Sequence, residues 1–202
     1  MIKSLFALLV ALSLLSPASA QSHAEDVAKF QKELTDEFLN PEESPLSKEE
    51  IKKFSGHSFF PVNKKYRVVA KFVRTENSLP FQMQTTTDRL PMYEKYGEAI
   101  FELDGKTYTL SIYQSHQLRE TEKYKNYLFL PFTDQTNGKE TYGGGRYIDL
   151  TIPTGNTIVI DFNKAYNPFC AYNPNRSCPI PPKGNALNIK IPAGVKAPEH
   201  KK

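Results

Sequence analysis

From Phe59 onward apolar residues return at every second position, and clusters of Pro and Gly separate the runs. A strand turns successive side chains to opposite faces, so this period predicts half-buried strands rather than an amphipathic helix. Tyr66, Val68, Ala70 and Phe72 alternate with Arg67 and Lys71, and Phe81, Met83 and Thr85 alternate with Gln82 and Gln84. The clearest hairpin is 97–113. Asp104-Gly105 suits a two-residue type I′ turn, and the register it sets places Phe101 across from Tyr108 and Ala99 across from Leu110. Further strands are predicted at 127–132, 145–152, 157–163 and 187–191. Seven or more strands after two short helices predict a mainly β fold, an antiparallel barrel or sandwich.

The residues ahead of the strands follow a different period. Val27, Phe30, Leu34 and Phe38 form one apolar stripe at helical spacing, and Ser22 with Glu25 forms a capping-box pattern, which predicts a helix over 22–39 that ends before Pro41. A second, shorter helix is predicted at 48–54, with Ser47 as N-cap and Glu50 three residues on. Both read as a clasp packed on a sheet. Residues 1–20 have the parts of a secretion signal: a basic start at Lys3, an apolar run from Leu5 to Leu15, and small residues at Ala18-Ser19-Ala20. The run is shorter than the roughly 20 residues that span a bilayer as a helix, so cleavage after Ala20 and a periplasmic or secreted protein with no stable membrane anchor are expected. The chain then divides into a helical segment at 21–56, a β-rich domain at 57–195 and a polar tail at 196–202. Without the signal, 25 basic residues face 22 acidic ones, with the signs interspersed, which gives no support to a nucleic-acid partner.

Polar residues that could carry chemistry concentrate in the last third. Treating 145–152 and 157–163 as a hairpin with a loop at 153–157 sets Leu150 against Ile160 and Ile148 against Phe162. The same register opposes Asp149 to Asp161, two carboxylates that repel unless a cation, an Arg or a shared proton lies between them. Just before them, Tyr142-Gly-Gly-Gly-Arg146 combines a flexible backbone with a guanidinium able to hold a carboxylate or phosphate. It is not a phosphate-binding P-loop, because no Gly-Lys-Ser/Thr follows; a bend at a barrel corner explains the glycines equally well. Cys170 and Cys178 in an exported chain favour a disulfide, worth roughly 2–3 kcal/mol for so short a loop. No metal-ligand spacing of Cys or His occurs, and no motif identifies a cofactor.

Four blocks carry a family resemblance: Leu130–Gly138, Glu140–Asp149, Asp161–Asn173 and Cys178–Pro182. They resemble the signature blocks of the DUF1684 family, over about Phe60 to Gly194. The resemblance implies that Asp134, Tyr142–Arg146, Asp161–Asn163 and Tyr166–Cys178 belong to one constellation; it implies no activity. Three readings follow. The leading one is a domain that binds a small polar or anionic ligand, with Arg146 for an anionic group, Tyr142 and Tyr166 as walls, and Asp134, Asp149, Asp161, Asn163 and Asn167 in the same polar cleft. The alternatives are a hydrolase-like enzyme using Asp149 and Asp161 as an acid–base pair or as divalent-cation ligands, and a structural or protein-interaction domain pinned by Cys170 and Cys178.

Overall fold

A computed structural model describes residues 22–198. The secretion-signal segment lies outside the described residues, and among these no helix is long and apolar enough to cross a membrane. The period-two region forms seven antiparallel strands: β1 (Arg67–Arg74), β2 (Phe81–Gln82), β3 (Met92–Leu103), β4 (Lys106–Ser115), β5 (Tyr127–Phe132), β6 (Arg146–Thr151) and β7 (Thr157–Asp161). They are hydrogen-bonded in the order β6-β5-β4-β3-β1-β7, with β2 added to β3, and the sheet curls into a half-barrel. The β3–β4 hairpin has the register expected from its turn, Phe101 facing Tyr108 and Ala99 facing Leu110. Asp104 and Gly105 both take positive φ, 53° and 71°, as a type I′ turn demands. A bulge between Lys95 and Gly97 lets β3 run past Gly97 to Met92. Glycine is required there, because a Cβ would stand 2.6 Å from Phe72 Cε2 and 2.8 Å from the Val73 carbonyl oxygen.

The concave side holds the main core: Ala70, Ala99, Phe101, Leu110, Ile112, Leu128, Leu130, Ile148, Ile160 and Phe162. A smaller aromatic cluster of Tyr93, Tyr113, Phe129 and Tyr147, with Met83, lies on the opposite face. Sequence already hints at this second layer, since Tyr127-Leu-Phe-Leu-Pro-Phe132 is an unbroken apolar run, the signature of a strand covered on both sides.

Helix α1 (His23–Leu39) provides part of that cover. Its capping box is complete, Ser22 accepting from the Glu25 amide while Glu25 accepts from the Ser22 amide, and Val27, Leu34 and Phe38 are its buried stripe. Helix α2 (Lys48–Ile51) is capped by Ser47 as expected but stops after one turn, and α3 (His116–Arg119) follows β4. The segment 187–191 is not a strand. Leu187 and Ile191 are buried as the alternation requires, yet the segment bonds only singly to the loop after β5, Leu187 N–H to the Thr133 carbonyl at 2.8 Å and Gln135 N–H to the Ile189 carbonyl at 3.0 Å. The Ile191 amide is taken by the Asp134 carboxylate at 3.1 Å rather than by a ladder partner, and Pro192 stops any continuation.

Candidate functional site

The expected β6–β7 hairpin does not form, and with it goes the carboxylate pair. β6 and β7 end the hydrogen-bonded path on its two sides and meet only across its seam. β7 pairs with β1, which sets Asp161 against Arg67, and β6 pairs with β5, which sets Asp149 against Phe129. The apolar alternation that suggested the hairpin is satisfied equally by two strands that each line the same barrel interior. Past Asp161 a turn at Phe162–Lys164 carries the chain across the seam, where Tyr166 bonds to the free edge of β6 through reciprocal Tyr147–Tyr166 backbone bonds of 2.9 and 3.0 Å. Asp161 is buried, with its carboxylate on His23 Nε2 at 2.8 Å and on the Asn163 amide group at 2.7 Å. It anchors the start of α1. Asp149 lies toward the other end of that helix, beside Glu37, about fourteen residues and so roughly 21 Å of helix further on.

Arg146 also departs from expectation. It is fully buried, and Nη2 donates to Asp134 Oδ2 at 2.7 Å and to the Ile191 carbonyl at 2.9 Å, while Nη1 donates to the Ala193 carbonyl. Asp134 in turn accepts from the amides of Thr136 and Ile191 at 2.8 and 3.1 Å. This buried pair ties the C-terminal segment to β6 and offers no surface to a ligand. The glycines before it make the bend, Gly145 at φ 92° where a Cβ would meet the Phe132 carbonyl at 2.7 Å. Asn163 bridges to the backbone of Asn63, and Asn167 donates to Tyr172 Oη and the Lys196 carbonyl. Both knit loops together.

Three of the residues singled out, Asp149, Tyr166 and Cys178, line one cavity. It has a volume of about 650 Å³ and lies between α1 and the outer face of the sheet, within the range usual for small-molecule sites. Tyr93, Tyr127, Phe129, Tyr147 and Tyr166 supply aromatic surface, Leu34 and Glu37 of α1 form a wall, and Arg89 and Arg176 stand at exposed edges. Asp149 Oδ1 accepts from Tyr166 Oη at 2.6 Å and from Tyr127 Oη at 2.8 Å. Among the described residues Oδ2 has no protein donor. Asp149 is exposed to solvent, yet protein packs densely around its carboxylate. That packing raises its proton affinity, and the two phenol donors oppose the rise. Burial, then the carboxylate's charge, pushes both phenols well above the usual tyrosine range, so they remain neutral donors.

Cys170 and Cys178 are neighbouring free thiols in this structure. The Cys170 amide donates to Cys178 Sγ at 3.1 Å, and Tyr142 Oη lies 3.8 Å from Cys170 Sγ. The hydrogen bond from Cys178 lowers the Cys170 thiol to about 7, and the same bond raises Cys178. Cys178 and the neighbouring Pro179 line the cavity. Sequence reasoning passed over Tyr93, Tyr127, Phe129, Glu37 and Arg89, and gave Arg176 no role beyond its place in the Tyr166–Cys178 block; the unbroken apolar run of β5 was the one signal that a second covered face existed.

Residues 52–196 match the family described as "Protein of unknown function (DUF1684)". No curated protein matches. Among solved structures, the solution NMR structure of an uncharacterized protein of Haloarcula marismortui is similar, with 34% identity and a TM-score of 0.67 over 85% of this chain and 92% of that one.

Proposed function

This chain belongs to the DUF1684 family of proteins of unknown function, and on that premise we propose that it binds a small molecule in the cavity between α1 and the sheet, with Asp149 as its polar anchor. The observation that carries this reading is the Asp149 carboxylate itself. Asp149 lines the cavity, is held in place by two phenols, keeps Oδ2 without a protein donor among the described residues, and has a proton affinity raised by the protein packed around it although its side chain is open to solvent. The ligand-binding reading thus moves from Arg146 to the aromatic face. The paired-acid mechanism loses its support, because Asp161 belongs to the anchor of α1.

Asp149→Asn tests the assignment. Native mass spectra of protein purified from its producing cells are expected to show a non-covalent adduct that the variant lacks, while the variant's melting temperature is unchanged or higher by up to about 3 °C, since a charge crowded by protein is gone. An adduct retained by the variant, or a variant that melts well below the parent, would give Asp149 a structural role instead.

Export goes with this reading: cleavage after Ala20 would deliver α1 as the first element of the mature chain, and an oxidising compartment would join Cys170 to Cys178. The intact mass of the secreted protein should begin at Gln21 and fall two hydrogens short of the dithiol, recovering them on reduction. A full complement of hydrogens in the secreted protein would show the pair to be a free dithiol.

A further inference from the structure

Resting on that small-molecule reading, we infer that the ligand is an organic cation, an amine carried on an apolar body, held between Asp149 and Glu37. The two carboxylates come from different elements, β6 and α1, and line the same cavity. Neither forms an ion pair among the described residues: the bridges of α1 use Lys29–Glu33, Lys32–Asp36 and Asp26–Lys164, and the tyrosines on Asp149 are neutral. Glu37 is half-buried, and its proton affinity is raised by burial first, then by Glu43 and by Asp149 itself. Two carboxylates within each other's field, neither in an ion pair with a basic side chain among the described residues, are relieved by a cation between them.

The guanidiniums at the cavity's exposed edge form no ion pair with Asp149 or Glu37 among the described residues and are held to neutral partners. Arg89 is bonded to Ser177 Oγ and its carbonyl, and Arg176 to the Ser44 carbonyl. An alkylammonium fits what remains. It offers up to three donors to Asp149 Oδ2 and Glu37, and its organic body would lie on the rings of Tyr93 and Phe129, whose π faces attract positive charge. A bare metal ion fits less well, since no cluster of three or more metal-ligating side chains exists among the described residues.

The test is a titration of the ¹⁵N-labelled mature protein at neutral pH with three probes of similar size: 2-phenylethylamine, 2-phenylethanol and 3-phenylpropionate. The amine is expected to shift the amides of Tyr127, Asp149 and Tyr166 and to bind about tenfold tighter than the alcohol, the size expected of one charge-assisted hydrogen bond. The carboxylate should bind most weakly. Asp149→Asn should erase the amine's advantage while leaving alcohol binding in place, and Glu37→Gln should reduce it in part. If the alcohol or the carboxylate shifts the same amides with equal or greater affinity, the cation assignment is overturned and the small-molecule site stands. If none of the three perturbs the cavity, both fall.

Discussion

Replacing Arg146 with Leu is expected to destabilise the protein by about 3–5 kcal/mol, the usual result of stripping one partner from a buried ion pair. Both side chains of the Arg146–Asp134 bridge are 0% exposed. Removing the guanidinium leaves the Asp134 carboxylate charged with no countercharge, and leaves the Ile191 and Ala193 carbonyls without their donor. Burial pulls the Arg146 pKa down, and the adjacent Asp134 carboxylate pulls it back up. Domains of this size are stable by roughly 5–15 kcal/mol in total, which places the single variant near unfolding at ambient temperature. Asp134→Leu combined with Arg146→Leu should recover much of the loss, because an apolar pair carries no stranded charge. Urea midpoints of the two single variants and the double would show it. A single variant within about 1 kcal/mol of the parent would mean that water reaches the pair and that the C-terminal segment is held otherwise.

Acid exposes a second weakness. His57 is packed edge-on against Phe38 and Phe54, with ring centroids 4.4 and 5.0 Å away, and its Nδ1 lies 3.0 Å from Tyr172 Oη. Burial lowers its pKa from 6.5 to about 4, opposed by the Leu34 carbonyl. Between those values the unfolded chain binds a proton that the native ring refuses, so stability falls as the pH drops from about 6.5 toward 4. Above that window the ring is neutral in both states; below it both states are protonated and the loss is complete. At about 1.4 kcal/mol per unit of pKa the loss approaches about 3 kcal/mol. His57→Gln should be less stable at neutral pH but lose less on acidification, which urea melts at pH 7 and pH 4.5 would resolve. An equally steep acid loss in the variant would place the titrating group elsewhere. Because His57 and Tyr172 pack on Phe38, this loosening would begin at the C-terminal end of α1, next to Glu37 and the cavity.

How much of this could be read in advance differed from residue to residue. The Ser22–Glu25 capping box and the stripe at Val27, Leu34 and Phe38 define α1 nearly to the residue, because caps and helical period are local properties. Asp104-Gly105 set the β3–β4 register for the same reason, a two-residue turn leaving no choice of partner. Asp149 and Tyr166 stood out by chemistry and do meet at the cavity, but for a reason the expected hairpin did not contain: Tyr166 reaches the edge of β6 only after the chain has crossed the seam. Arg146 looked like a ligand anchor because glycine and arginine together suit an exposed anion loop as well as a buried bend.

The sequence by itself determined the mainly β class, α1 with its cap, and the β3–β4 hairpin with its turn, because period, caps and two-residue turns are local properties. The tertiary structure decided which strands pair, which acids stand alone and which charges are hidden. β7 could bury Ile158 and Ile160 against either β6 or β1, and alternation is blind to that choice; only the closure of the half-barrel selects β1. That one selection sends Asp161 to the root of α1, leaves Asp149 to the aromatic cavity, and brings Glu37 down on it from the helix that straps the seam.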